Sequence, residues 1–166
     1  MSQTHAATRA AGPTQAERLV RLRMASLGVV VMLIIEFILG MIYNLYGTAP
    51  TSTKAIGLFS SPTIALHVIV GILLGLAAIV QLVRAIGTRH SLSIWLSALG
   101  LLSIIGAGFA GLGFSGSGAA GASLGMSLAF AAALACYVAL VVVLPSAASR
   151  AAPAARVSGD GSSSTT

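Results

Sequence analysis

Four long stretches dominate the hydropathy pattern of this chain. They run from Met24 to about Tyr46, from about Thr63 to Ile86, from about Leu92 to Leu112 and from about Ala119 to Leu144. Each approaches or exceeds the roughly 20 residues that a helix needs to cross a hydrocarbon core of about 30 Å at 1.5 Å per residue. The pattern predicts an all-α fold, a four-helix membrane bundle over residues 24–144. Before it stands a polar N-terminal tail, residues 1–23, with Arg18, Arg21 and Arg23 at its end. After it, residues 145–166 open on Pro145 and are rich in Ala, Ser and Gly, a composition that reads as a disordered tail. The first run is too long for the 7–15-residue core of a cleaved signal peptide, so a retained helix is expected.

Composition agrees with lipid as the solvent. Mean hydropathy is +0.99, 57% of residues are apolar and only 7% are charged. Soluble domains average about 25% charged, and a soluble fold of this size has too little interior to hide so much apolar surface.

The net charge of +6 comes from residues that flank the apolar runs. They are not gathered with aromatics into a strand-binding patch, so nucleic acid is not an expected partner. Their distribution sets orientation instead. With four crossings, Arg9, Arg18, Arg21, Arg23, Arg84, Arg89, Arg150 and Arg156 share one side, and Lys54 stands alone on the other. Positive residues stay inside, so both termini are expected in the cytoplasm. Tyr43 and Tyr46 then fall near the outer interface and Trp95 near the inner one. Arginine outnumbers lysine eight to one in an Ala/Gly-rich chain, which suggests a GC-rich genome and a bacterial plasma (inner) membrane.

Lipid offers no hydrophobic drive for helix association, so close packing needs small residues and polar links. Helix two carries Gly71 and Gly75; helix four carries Ser117, Gly121, Gly125, Ala129 and Ala133 at four-residue spacing. These are the expected packing faces, either within one bundle or against a second copy or another membrane protein. The segment from Gly113 to Gly118 reads as a tight hairpin, and residues 47–62 as an ordered cap or plain linker.

Apart from Arg84 at the inner end of the second run, Glu36 and His67 are the strongly ionisable residues within the spans. A charge at a helix centre costs about 2.5–3.5 kcal/mol on insertion scales, a cost that the many aliphatic residues of helix one can absorb. Glu36, Gly40, Tyr43 and Gly47 share one face of helix one; His67, Gly71, Gly75 and Ala78 share one face of helix two. Counted from the helix ends, Glu36 lies roughly 15 Å and His67 roughly 6 Å below the outer surface. That offset favours a link through water, Tyr43 or Asn44 over a direct hydrogen bond. The plainer expectation is a protonated Glu36 bonded to a neighbouring helix, with His67 at the headgroups. The sharper one is an outward-facing polar site in which Glu36 accepts a proton or cation and His67 is its partner or relay.

Haem between two helices would need two axial ligands. His67 has no second histidine at its depth, His90 being at the opposite face and His5 in the tail, and leaves only Met41 or Met126 as its partner. No cofactor is expected on this basis. Phosphate loops, paired zinc histidines and carboxylate pairs are missing from the sequence, and Cys136 stands alone, so nothing in it argues for an enzyme.

Three stretches carry a resemblance: Gly40-Met41-Ile42-Tyr43-Asn44-Leu45-Tyr46, Leu66-His67-Val68-Ile69-Val70-Gly71, and Gly125-Met126 through Cys136-Tyr137. Together they resemble small four-helix bacterial integral membrane proteins of unknown function. The second stretch also faintly resembles helices of haem A synthase and cytochrome b561. The resemblance implies a small polytopic membrane protein; its Gly/Ala faces suggest an accessory or interaction role. A transporter or channel component and a haem-binding electron-transfer protein are the alternatives.

Overall fold

The computed structural model describes residues 14–48, 50, 51 and 53–144. The expected disordered tail, Pro145 and the basic positions Arg9, Arg150 and Arg156 lie outside the described residues, as does His5. Four helices follow in order: α1 Gln15–Tyr46, α2 Pro62–Thr88, α3 Ser91–Ser117 and α4 Ala120–Val143. No strand occurs among the described residues; Thr51 and Lys54 merely exchange two backbone hydrogen bonds of 3.1 Å in the α1–α2 connection.

Helix ends follow local chemistry. α1 begins nine residues before the apolar run, at a reciprocal capping box in which Glu17 N–H donates to Thr14 Oγ1 and Thr14 N–H donates to Glu17 Oε2. Nothing between Gln15 and Met24 breaks a helix, so the polar segment continues the apolar one. α2 starts with Ser61 as N-cap and Pro62 at its first position. It stops at Arg89, which is left-handed at φ 54°; His90 then caps α3 by accepting from Ser93 N–H. The expected hairpin at 113–118 is corrected: residues 113–117 remain helical, and the turn is only Gly118 and Ala119. With intact helical hydrogen bonding available up to Phe114, the glycines of this segment need not leave the helix, and only Gly118, at φ 67°, adopts a turn conformation.

The helices pack as an antiparallel ring in which α1 touches α2 and α4, and α3 touches α2 and α4, with no diagonal contact. One end of this ring carries the start of α1, the end of α4 and the α2–α3 turn. The other carries the α1–α2 connection, 47–61, and the α3–α4 turn. These are called below the termini end and the loop end.

A narrow core runs down the middle: Leu22, Val29 and Leu33 from α1, Leu74, Ala78 and Ala85 from α2, Ala133, Tyr137 and Leu140 from α4. α3 contributes small buried residues, Ser93, Ser97 and Gly100. Only 17% of each apolar window is buried, and Phe109 and Val142 are more than two-thirds exposed. A soluble monomer does not present such belts. All four helices are long and apolar enough to span a membrane.

Two arginines of α1 hold its neighbours at the termini end. Arg23 Nε donates to Val141 O at 2.8 Å, and Arg18 Nη1 donates to Gly87 O at 3.4 Å. Both carbonyls belong to last turns, where helices accumulate negative partial charge and unsatisfied acceptors. At the loop end, Ile56 N–H donates to Ser115 O at 2.9 Å, and Gly118 lies against the Pro50 carbonyl. The 47–61 connection is therefore fastened across the α3–α4 turn.

Candidate functional site

In the loop-end half of the α1–α2 seam, two glycines make room for two polar side chains. A Cβ on Gly71 would come within 2.9 Å of Glu36 Oε1, and one on Gly40 within 3.4 Å of His67 Cε1. Each glycine lies four residues beyond the polar residue of its own helix and opposite that of the other. The arrangement is reciprocal: Glu36 extends over Gly71, and His67 over Gly40. Position i+4 is the same face of a helix, so one antiparallel register brings both pairs together.

The two arms meet. His67 Nδ1 lies 3.2 Å from Glu36 Oε1, with the side chains 30% and 14% exposed respectively. The separation is that of an ion pair, while the alignment falls short of a hydrogen bond, and Glu36 Oε2 also has no hydrogen-bond partner. This contact corrects the expected indirect link. Counting residues from the helix ends gave only backbone depths; the length of the two side chains and the missing side chains opposite them close the remaining gap.

Neither expected bridge lies between them. Tyr43 Oη donates to Thr48 O at 3.0 Å, and Asn44 is exposed. Tyr43 instead joins Tyr46, Lys54, Ser61 and Thr63 around an open cavity of about 420 Å³ at the loop end. Thr63 is one turn from His67 and Tyr43 one turn from Gly40, so the cavity lies just beyond the couple. Phe37, the next residue along α1, stacks on Phe130 of α4 at 5.4 Å between ring centroids.

Chemically, a carboxyl and an imidazole at this distance form a pair in which the charge of one group depends on that of the other. Neutral acid with neutral imidazole, and carboxylate with imidazolium, both have zero net charge, the condition under which such groups are least costly away from water. Adding or removing one proton leaves a net charge.

The remaining sequence candidates fall elsewhere. Met41 is exposed on α1 and Met126 packs near Gly111 in the α3–α4 seam, whereas His67 is turned into the α1–α2 seam. A haem ligated by His67 and Met126 would have to draw ligands from two different seams. Gly75 and Gly121 have no atom within 4 Å of a would-be Cβ, Gly125 meets Ala110 at 3.9 Å, and Ala129 is half-buried. Among the described residues, no group of three His, Cys, Asp or Glu could hold a metal ion.

Two features escape the sequence reading. Gly100 leaves the space filled by Tyr137, which is fully buried; a Cβ there would lie 2.7 Å from its ring. Gln81 is buried in α2 with both donors used on α1. A glutamine inside an apolar run was the available signal for the second; shape matching between a glycine and a tyrosine on separate helices leaves no local signal.

No family model, curated protein or solved structure matches this chain.

Proposed function

We propose that this chain is a small accessory protein of a bacterial plasma membrane, inserted with both termini in the cytoplasm, whose chemically active element is a proton-binding Glu36–His67 couple facing the outer side. The carrying observation is the 3.2 Å approach of His67 Nδ1 to Glu36 Oε1 inside a seam cleared by Gly40 and Gly71. Two glycines placed against two ionisable side chains is more than a chance polar contact requires. The arginine distribution supports the orientation. The wide unburied belts and the open Gly75 and Gly121 positions support a second copy or another membrane protein as partner.

The test is the protonated-carboxyl infrared band of the full chain in lipid bilayers, followed across pH. A band that titrates in the wild type and is missing in Glu36→Gln, with insertion and helix content unchanged, supports the couple. A pH-independent spectrum identical in both proteins rejects it.

A transport reading has one observation in its favour: the open cavity at the loop end, whose Thr63 stands one turn from His67. Toward the termini end, Leu33, Val29, Leu74 and Ala133 are packed without such space, so a pathway would have to form between copies. Proton flux into liposomes containing the wild type, absent for Glu36→Gln, would favour transport over a purely accessory role.

A further inference from the structure

Four helices each place one buried polar side chain, within about one turn of a common level, in the termini-end half of the bundle. Gln81 and Ser26 are level because they are hydrogen-bonded: one N–H of Gln81 Nε2 goes to Ser26 Oγ and the other to Leu22 O at 3.1 Å. Ser26 Oγ in turn donates to Leu22 O at 3.0 Å. Gln81 stands seven residues before the α2 end at Thr88, and Ser97 six after the α3 start at Ser91, so the short turn between these helices puts them at matching depth. Tyr137 packs on Gly100, one turn from Ser97 on the same face of α3. All four residues are at most 1% exposed.

Within this layer, three atoms have no partner: Gln81 Oε1, Ser97 Oγ and Tyr137 Oη. The orientation of the amide is settled by chemistry, since its two N–H groups face a carbonyl and a hydroxyl that has already spent its proton. Its oxygen must then face away from α1. A buried carbonyl and two buried hydroxyls left unmade are costly in any interior, and more so where lipid surrounds the bundle.

We infer that Gln81, Ser97 and Tyr137 together form a binding site for one internal water molecule that links α2, α3 and α4 at this level. Water matches the inventory. It donates to Gln81 Oε1, accepts from Tyr137 Oη and takes Ser97 as its third partner, the coordination usual for buried water. A sodium ion matches less well: the ligands are neutral oxygens and no carboxylate in the layer offsets its charge. Through the Gln81–Ser26 bond the same layer reaches α1, so one polar node ties all four helices.

The experiment uses the full chain in bilayers. Ser97→Ala, Tyr137→Phe and the double variant are compared by unfolding midpoint, and magnetisation transfer from water to the Gln81 side-chain amide is recorded by solid-state NMR. A shared water predicts that each single variant lowers the midpoint, that the double variant falls by less than the sum, and that the water-to-Gln81 signal of the wild type is lost in the double variant. Tyr137→Phe with an unchanged or raised midpoint would overturn the inference, because it would mean the hydroxyl has no partner to lose. Non-additive midpoints without any water signal would assign a direct Ser97–Tyr137 bond instead. A midpoint that rises specifically with sodium, against potassium and choline, would assign a cation. Either result also overturns it.

Discussion

Gly71 stands so close to Glu36 that a methyl group on it would press to 2.9 Å of the carboxyl oxygen, while the mirror position, Gly40, leaves 3.4 Å to the His67 ring. The two substitutions should therefore differ although both are glycine to alanine. Gly71→Ala must move the carboxyl end of Glu36 away from His67; that end is flexible, so the shift itself is cheap and stability should stay within about 1 kcal/mol. Gly40→Ala gains an ordinary contact and should stay within about 1 kcal/mol. Unfolding in lipid with the infrared carboxyl band as second readout checks both: Gly71→Ala should alter the band and Gly40→Ala should not.

Gly100→Ala should destabilise by about 1–3 kcal/mol as well. Its Cβ would meet Cε2 and Cζ of a tyrosine ring that is rigid and fully buried, so the ring cannot swing aside. Thermal unfolding in detergent measures the loss. A neutral result would mean that α3 and α4 can separate slightly at no cost.

Gly118→Ala combines two penalties at the loop end. The left-handed φ of 67° costs a residue with a side chain about 1–2 kcal/mol, and the new methyl would collide with the backbone carbonyl of Pro50. The expected signature beyond lower stability is faster amide exchange at Ile56, whose N–H is bonded to Ser115 O.

Arg23→Ala removes a partly buried donor from Val141 O at the end of α4. Charged hydrogen bonds contribute about 1.5–3 kcal/mol, and partial exposure places this one near the lower limit. Fraying of the last turn of α4, seen by hydrogen exchange at Leu144, whose N–H bonds Leu140 O, should accompany it.

Gly121→Leu separates packing within one chain from packing between chains. No atom lies near Gly121, so the monomer should keep its unfolding midpoint. Cross-linking in native membranes that disappears in the variant would locate a partner on this face of α4; undiminished cross-linking would direct attention to the Gly75 face instead.

The helix number and approximate spans were legible because they depend on run length and polarity alone. Glu36 and His67 stood out for the same reason: an ionisable residue in an apolar run is conspicuous. Their contact was not legible, because it depends on the relative shift of two helices and on side-chain reach over Gly40 and Gly71. The early start of α1 was present in Thr14-x-x-Glu17 but is outweighed by hydropathy when spans are sought. The helical state of residues 113–117 shows the reverse error, a glycine-rich segment read as a turn where the backbone hydrogen bonds continue. Gln81 was marked by its place in an apolar run, whereas Ser26 and Ser97 are unremarkable in sequence and acquire meaning only when the helices bring them near it.

The lengths of the connections have a mechanical consequence. Two residues join α2 to α3 and two join α3 to α4, whereas 47–61 join α1 to α2. Short turns thus fix α2, α3 and α4 to one another, whereas α1 is set in place by side-chain contacts and by the fastening of its long connection. Both arginine clasps at the termini end and the Glu36–His67 contact lie on seams made by α1. The side-chain contacts that set the position of α1 are therefore the same ones that carry its ionisable groups, Arg18, Arg23 and Glu36.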